Sequence, residues 1–248
     1  MAIGFVVFGA VASANLKILQ CLMTPSVKTT DPADREALAW TQSARFLTTA
    51  SQLDQLPPPG LPEIAFVGRS NAGKSTAINT LAQHRRLAYA SKTPGRTQHI
   101  NLFHDGPADA PDALWADLPG YGYAAVARGA KLRWQEVMAD YLRSRHALAG
   151  IVMMVDSRHG FTPLDLQLLE FVAPRVTIGE VKLLVLLTKS DKLNRSEAQQ
   201  SLRAAHKVLA DLATDSTDIA VALFSALSRH GLADAAVTLR AWIPKLAV

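Results

Sequence analysis

Gly68-Arg69-Ser70-Asn71-Ala72-Gly73-Lys74-Ser75 forces a tight backbone curl between two elements of regular structure. The pattern is G-x-x-x-x-G-K-[ST]. Its glycines let successive N–H groups turn toward one point, where a chain of anionic oxygens can sit. Just before it, Ile64-Ala65-Phe66-Val67 reads as an apolar strand, and a helix is expected from about Lys74 to Ala82. A phosphate chain held there meets backbone donors and the positive end of the helix dipole. Lys74 brings positive charge to the β and γ phosphates, and the Ser75 hydroxyl can ligate Mg²⁺. A glycine-rich turn of no chemical meaning would not require these two flanking elements in this order.

The remaining pattern extends the same architecture. Residues 98–104 and 114–118 read as strands, joined by a hairpin turn at 105–112 that is rich in Gly, Pro and Asp. A helix is expected over 131–147. Residues 151–155 and 181–187 are apolar on both faces, as strands covered by helices on each side must be. A last strand at 219–224 precedes a last helix at 232–242, stopped by Pro244. This predicts an α/β chain of the P-loop NTPase kind: a doubly wound, mostly parallel six-stranded sheet with one antiparallel strand and helices on both faces.

Upstream, residues 31–46 read as a short helix, with Asp31 as its cap and Pro32 at its first position. Ala33, Ala37, Trp40 and Ala44 give it one apolar face. Leu56-Pro57-Pro58-Pro59-Gly60 is a stiff break. The expected organisation is an apolar extension at 1–22, an N-terminal helix and Pro-rich linker at 23–60, and the main domain at 61–248. The extension has no basic residue ahead of its apolar run, and Asn15 and Lys17 interrupt it. It therefore fits neither a secretory signal nor a membrane span. An overlong reading frame with Met23 as the working start is the preferred expectation, and a peripheral membrane tether the alternative.

The chain is 49% hydrophobic and 19% charged, enough for a sizeable core and too apolar for wholesale disorder. A net charge of +5 favours an anionic partner such as RNA or a membrane surface. The single cysteine, Cys21, rules out an intramolecular disulfide. Together these point to a cytoplasmic protein.

Three further motifs follow the phosphate loop in order. Trp115-Ala116-Asp117-Leu118-Pro119-Gly120 ends a strand with D-x-x-G, a place for an Asp that holds Mg²⁺ through water and a Gly N–H that meets the γ phosphate. Between it and the phosphate loop, residues 85–98 are polar and basic, with a flexible point at Pro94-Gly95. They offer Thr93 and Thr97 as metal ligands, and Thr97 is preferred because it directly precedes the next strand. Third, Val185-Leu186-Leu187-Thr188-Lys189-Ser190-Asp191 puts T-K-x-D at a strand end. Asp191 can accept hydrogen bonds from guanine N1–H and its exocyclic amine, a donor pair that adenine lacks. The Lys189 stem can lie along the base, and a backbone N–H in Phe224-Ser225-Ala226 can meet guanine O6.

On these residues the chain resembles the EngB (YihA/YsxC) family of bacterial Era-like GTPases, over about residues 46–242. The more specific blocks are Pro62-Glu63-Ile64-Ala65-Phe66-Val67-Gly68-Arg69-Ser70-Asn71, Thr93-Pro94-Gly95-Arg96-Thr97-Gln98, Asp117-Leu118-Pro119-Gly120-Tyr121-Gly122-Tyr123-Ala124 and Val155-Asp156-Ser157-Arg158-His159. The resemblance implies GTP or GDP bound through the phosphate loop, Gly95, Arg96, Thr97, Gln98, His99, Asp117 to Gly120, Thr188 to Asp191 and Phe224 to Ala226. It implies Mg²⁺ on Ser75 and Thr97. It also implies a role in assembly of the large ribosomal subunit, with its rRNA as partner, and in normal cell division and septation.

Lys74, Thr97 and Gly120 are the expected catalytic residues. Ras-like enzymes orient the attacking water with a Gln directly after D-x-x-G. Tyr121 stands there instead, so slow Mg²⁺-dependent hydrolysis by the isolated protein is expected. Arg96 is a candidate charge donor. Arg128, Lys131, Arg133, Arg143, Arg145 and Arg158 are candidates to face RNA. The expected partner set includes no DNA and no stable membrane insertion, and the chain is expected to be a monomer. Competing readings are a P-loop phosphotransferase and a membrane-tethered septation GTPase.

Overall fold

Ile64, Ala65, Phe66 and Val67 are all fully buried, and successive residues feed opposite layers of the core. Ala65 and Val67 pack with one cluster, Ile64 and Phe66 with the other. That two-sided burial makes Glu63–Gly68 (β3) a central strand, because side chains alternate across a pleated sheet. The computed structural model describes residues 16–19, 31–88, 99–122 and 128–244, with the backbone alone for 16–19 and 128–135.

Around β3 the other strands are Leu16–Leu19 (β1), Arg45–Ala50 (β2), Ile100–Asp105 (β4), Ala113–Asp117 (β5), Leu148–Asp156 (β6), Lys182–Thr188 (β7) and Ile219–Leu223 (β8). They form one sheet in the order β1-β8-β7-β6-β3-β5-β4-β2. All neighbouring pairs are parallel except those made by β4, which runs antiparallel to both β5 and β2. The helices Pro32–Gln42 (α1), Lys74–Leu81 (α2) and Leu232–Trp242 (α6) cover one face. Arg128–Ser144 (α3), Pro163–Thr177 (α4) and Arg195–Ala210 (α5) cover the other. The doubly wound α/β architecture and its single reversed strand are as the sequence pattern predicts.

The sheet has eight strands among the described residues where the sequence pattern gives six. Residues 45–50 were expected to be helix end and linker. They pair instead with β4, through a register slip between Phe46 and Thr48. An edge strand buries little, and Ala50 alone in β2 is buried, so the strip carries no strong period of two. Residues 16–19, expected to lie in an extension, pair in parallel with β8, Leu16 opposite Ile219.

The segment ahead of the Pro-rich turn is also built into the core. Asp31 caps α1 through Ala33 N at 2.9 Å, as expected. Trp40 of α1 donates from Nε1 to Asp112 at 2.8 Å and meets Trp115 edge-on. Arg240 of α6 stacks its guanidinium 5.4 Å from the centre of the Trp40 ring.

Candidate functional site

In a doubly wound sheet the loops at the carboxyl ends of the strands converge on one crevice. Here β3 delivers residues 68–73, β5 delivers Asp117, β6 Asp156, β7 Thr188 and β8 Phe224. The phosphate loop turns through two left-handed residues, Asn71 at φ 67° and Gly73 at φ 93°. For Gly73 the missing Cβ removes the strain of that conformation, and the glycine caps α2, whose first residue is Lys74. Gly68 lies so close to β6 that an added Cβ would meet the Met154 Cβ and carbonyl at 3.1 Å.

Lys74 and Asp117 form a buried ion pair, with the Lys74 ammonium on Asp117 Oδ1. The other carboxylate oxygen, Oδ2, is buried with no hydrogen-bond partner among the described residues. Ser75 follows Lys74 on the first turn of α2. The D-x-x-G segment lies against the phosphate loop. Ser70 N donates to Tyr121 O at 2.8 Å, and a Cβ on Gly120 would meet Ser70 Oγ at 3.3 Å. Tyr121 is buried, and its hydroxyl donates to Asp165 at 2.7 Å. Asp165 also closes the capping box of α4 with Thr162. Burial first, and then the neighbouring Asp165 charge, push the Tyr121 phenol well above its usual range.

The T-K-x-D loop is tied to the phosphate loop. Thr188 Oγ1 donates to Ala72 O at 2.6 Å, and Lys189 Nζ donates to Asn71 O at 2.7 Å. Lys189 itself is left-handed, at φ 60°. Ser190 N donates to Phe224 O at 3.2 Å. Ser225 Oγ donates to Asp191 Oδ1 at 2.7 Å. Partial burial alone would raise the Asp191 carboxyl. The Ser225 hydroxyl, its own backbone N–H and Lys192 hold it below the usual carboxylate range, so it is ionised at neutral pH. Ala226 packs partly buried at the edge of the α2–α6 core layer.

The structure thus gathers residues 68–75, Asp117 to Gly120, Thr188 to Asp191 and Phe224 to Ala226 at one end of the sheet. Gly95, Arg96, Thr97 and Gln98 lie outside the described residues. His99 bonds through Nδ1 to Ser51 Oγ at 2.8 Å, beside the end of β2. The set of RNA-facing arginines needs one correction. Arg145 is held by Glu63 at 2.6 Å with its side chain 10% exposed, so it braces the fold. Arg143 lies exposed over the Phe171 ring, and Arg158 clasps Asp156. The side chains of Arg128, Lys131 and Arg133 lie outside the described residues. Sequence reasoning assigned no role to Asp156, Asp165 or the Ser225 hydroxyl. The signal for Asp156 lay within the Val155-Asp156-Ser157-Arg158 block.

Phosphate loop, D-x-x-G aspartate and T-K-x-D on this sheet define a P-loop GTPase. The family described as "50S ribosome-binding GTPase" matches residues 63–189. A probable GTP-binding protein EngB of Albidiferax ferrireducens is 55% identical over 206 residues, covering 83% of this chain and 96% of that one. Another from Burkholderia pseudomallei is 50% identical, covering 81% and 90%. Among solved structures, a probable GTP-binding protein EngB superposes with TM-score 0.54 at 21% identity, over 73% of this chain and 97% of that one. Era in complex with MgGDPNP and a segment of 16S ribosomal RNA superposes with TM-score 0.60 at 21% identity, over 76% and 58%. The chain belongs to the EngB family of GTP-binding proteins.

Proposed function

We propose that this GTPase is a slow, Mg²⁺-dependent switch that acts in the cytoplasm on precursors of the large ribosomal subunit and their rRNA. In this reading the protein is also needed for normal cell division and septation. The observation that carries the slow-switch reading is Tyr121. It occupies the position after D-x-x-G, is buried, and has its hydroxyl engaged by Asp165, so it offers no side chain to orient water at the phosphate end. Lys74 supplies charge, Gly120 a backbone N–H and Asp191 the guanine contact. The hydroxyls of Ser75 and Thr97 would hold the metal.

The buried Asp117 Oδ2 beside Ser75's helix has no partner among the described residues and suits a cation site, since a carboxylate oxygen left without a partner in a core is costly. When bound, Mg²⁺ neutralises charge on the β and γ phosphates. Lys74 is anchored for phosphate by its own ion pair with Asp117. The large-subunit partner is supported by the family description. No helix among the described residues is long and apolar enough to cross a membrane.

The test is titration of a fluorescent GDP analogue, competed by GDP, GTP, ADP and ATP, on wild type and Asp191→Ala. Guanine preference should be strong and fall at least 100-fold in the variant, in line with loss of a charged hydrogen-bonding pair. Equal competition by adenine nucleotides would defeat the guanine-reader assignment. Cosedimentation with large-subunit particles in GTP and not in GDP is the second expected result. Its absence would remove the ribosomal part alone.

A further inference from the structure

Asp156 ends β6 directly opposite Thr188, the last residue of β7. It is 6% exposed, and its carboxylate accepts four hydrogen bonds. Oδ1 takes Arg158 N at 3.1 Å and Arg158 Nε at 2.9 Å. Oδ2 takes Arg158 Nη2 at 2.8 Å and Lys189 Nζ at 2.8 Å. The same Lys189 ammonium donates to Asn71 O in the phosphate loop at 2.7 Å. The Lys189 side chain is therefore fixed at its tip by two acceptors on different loops, one charged and one backbone. Its left-handed backbone fixes the other end.

We propose that Asp156, oriented by Arg158, is a positioning residue for guanine recognition. It holds Lys189 stretched between the phosphate loop and the T-K-x-D loop, so that the lysine stem is already in place as a wall of the base pocket. A lysine free to explore its rotamers must be ordered when the base arrives, and that ordering weakens binding. With Asp156 the ordering is complete in the folded protein. A charge-assisted bond made in a mostly buried place keeps it so. Asp156 touches no part of the reacting phosphates in this scheme, so its effect falls on affinity and spares the chemical step. Burial alone would raise the Asp156 carboxyl, but the hydrogen bonds from Arg158 and Lys189 hold it far below the usual range, consistent with a permanently charged anchor.

This inference rests on the reading of Thr188 to Asp191 as the guanine reader, and its test is a double-mutant cycle. GDP-analogue affinity and GTP turnover at saturation are measured for wild type, Asp156→Asn, Lys189→Ala and the double variant, with Asp191→Ala in parallel. Asp156→Asn should lose about tenfold in GDP affinity with turnover at saturation unchanged. On the Lys189→Ala background the same substitution should cost nothing further, because its effect runs through the lysine. If the two losses multiply, or if Asp156→Asn binds like wild type, the proposal is overturned. Should Asp156→Asn not fold, Arg158→Gln replaces it, with a loss of about threefold that again vanishes on the Lys189→Ala background. If Asp191→Ala keeps its guanine preference, the guanine-reader reading itself fails. If that preference is lost while Asp156→Asn binds like wild type, only the positioning role fails.

Discussion

Glu63 and Asp117 sit at opposite ends of two paired strands, and both are fully buried, yet they are built for different purposes. Glu63 opens β3 opposite Leu114, and Asp117 closes β5 opposite Phe66. Every oxygen of Glu63 is engaged. Arg145 reaches Oε1 at 2.6 Å through Nη2 and both oxygens at 3.0 Å through Nε, and the Tyr141 hydroxyl donates to Oε2. Arg145 also donates to Pro57 O at 2.8 Å, so one bracket joins α3, β3 and the Pro-rich turn. Asp117 has Lys74 on one oxygen and nothing among the described residues on the other. A carboxylate saturated by protein donors is a brace. One left half-used beside a phosphate loop is ready to serve a ligand.

The largest effect should come from breaking the brace. Glu63→Gln leaves Arg145 as a nearly buried, uncompensated charge, and loss of one partner from such a pair typically costs about 3–5 kcal/mol. Urea unfolding of nucleotide-free protein should show that loss, while GDP affinity of the folded fraction stays within about twofold. A variant that unfolds at the wild-type midpoint would mean the bracket carries no stability.

Next comes the half-used end. Asp117→Asn should lower GTP turnover by about 100-fold, the scale for removing one electrostatic contact from a reacting centre. Lys74 is as buried as Arg145, so loss of its partner should also lower the unfolding midpoint of nucleotide-free protein, and turnover is what separates the two variants. A fully active Asp117→Asn variant would undo the contrast.

Asp105 sharpens the comparison. It too is buried with an Oδ2 that has no partner among the described residues, but it lies at the end of β4 that leads into the 106–112 hairpin, where no motif calls for a ligand. Ser43 Oγ and Gly106 N reach its Oδ1 at 2.7 and 3.0 Å, with Asp112 and Arg45 nearby. Desolvation outweighs those hydrogen bonds and pushes its carboxyl up to about 7. The folded form thus holds a proton that the unfolded chain releases near the ordinary carboxylate range. Stability contributed by this group is intact below about pH 4, falls as pH rises toward 7, and stays lost above it. Asp105→Asn should therefore match wild type at pH 4 and exceed it by about 1–3 kcal/mol at pH 8. Equal stability at both pH values would show that Asp105 is ionised in the fold. An unpaired buried oxygen thus marks a functional site only where neighbouring loops converge on it.

Local pattern made much of this legible. The apolar run 64–67, the glycines at 68 and 73 and the lysine at 74 constrain neighbours in sequence, so strand, turn and helix could be read together. Helix α6 was expected over 232–242 and is found at Leu232–Trp242. Strand β2 was not legible, because an exposed edge strand is defined by the hydrogen bonds of β4, which lies some fifty residues downstream. Arg145 reads as a surface cation in sequence and becomes a brace only when α3 meets the start of β3.

Short-range order therefore determined, from sequence alone, the strand–turn–helix around G-x-x-x-x-G-K-[ST], the alternation that yields a doubly wound sheet, and the T-K-x-D at the end of a buried strand. Tertiary structure decided which carboxylates are saturated, that Lys189 spans from Asp156 to Asn71, and that Tyr121 turns inward to Asp165. The physical reason is one of range. Backbone curl and hydrophobic period are set by residues within a few positions of one another. The partner of a buried charge is chosen by which distant strand ends the sheet brings together.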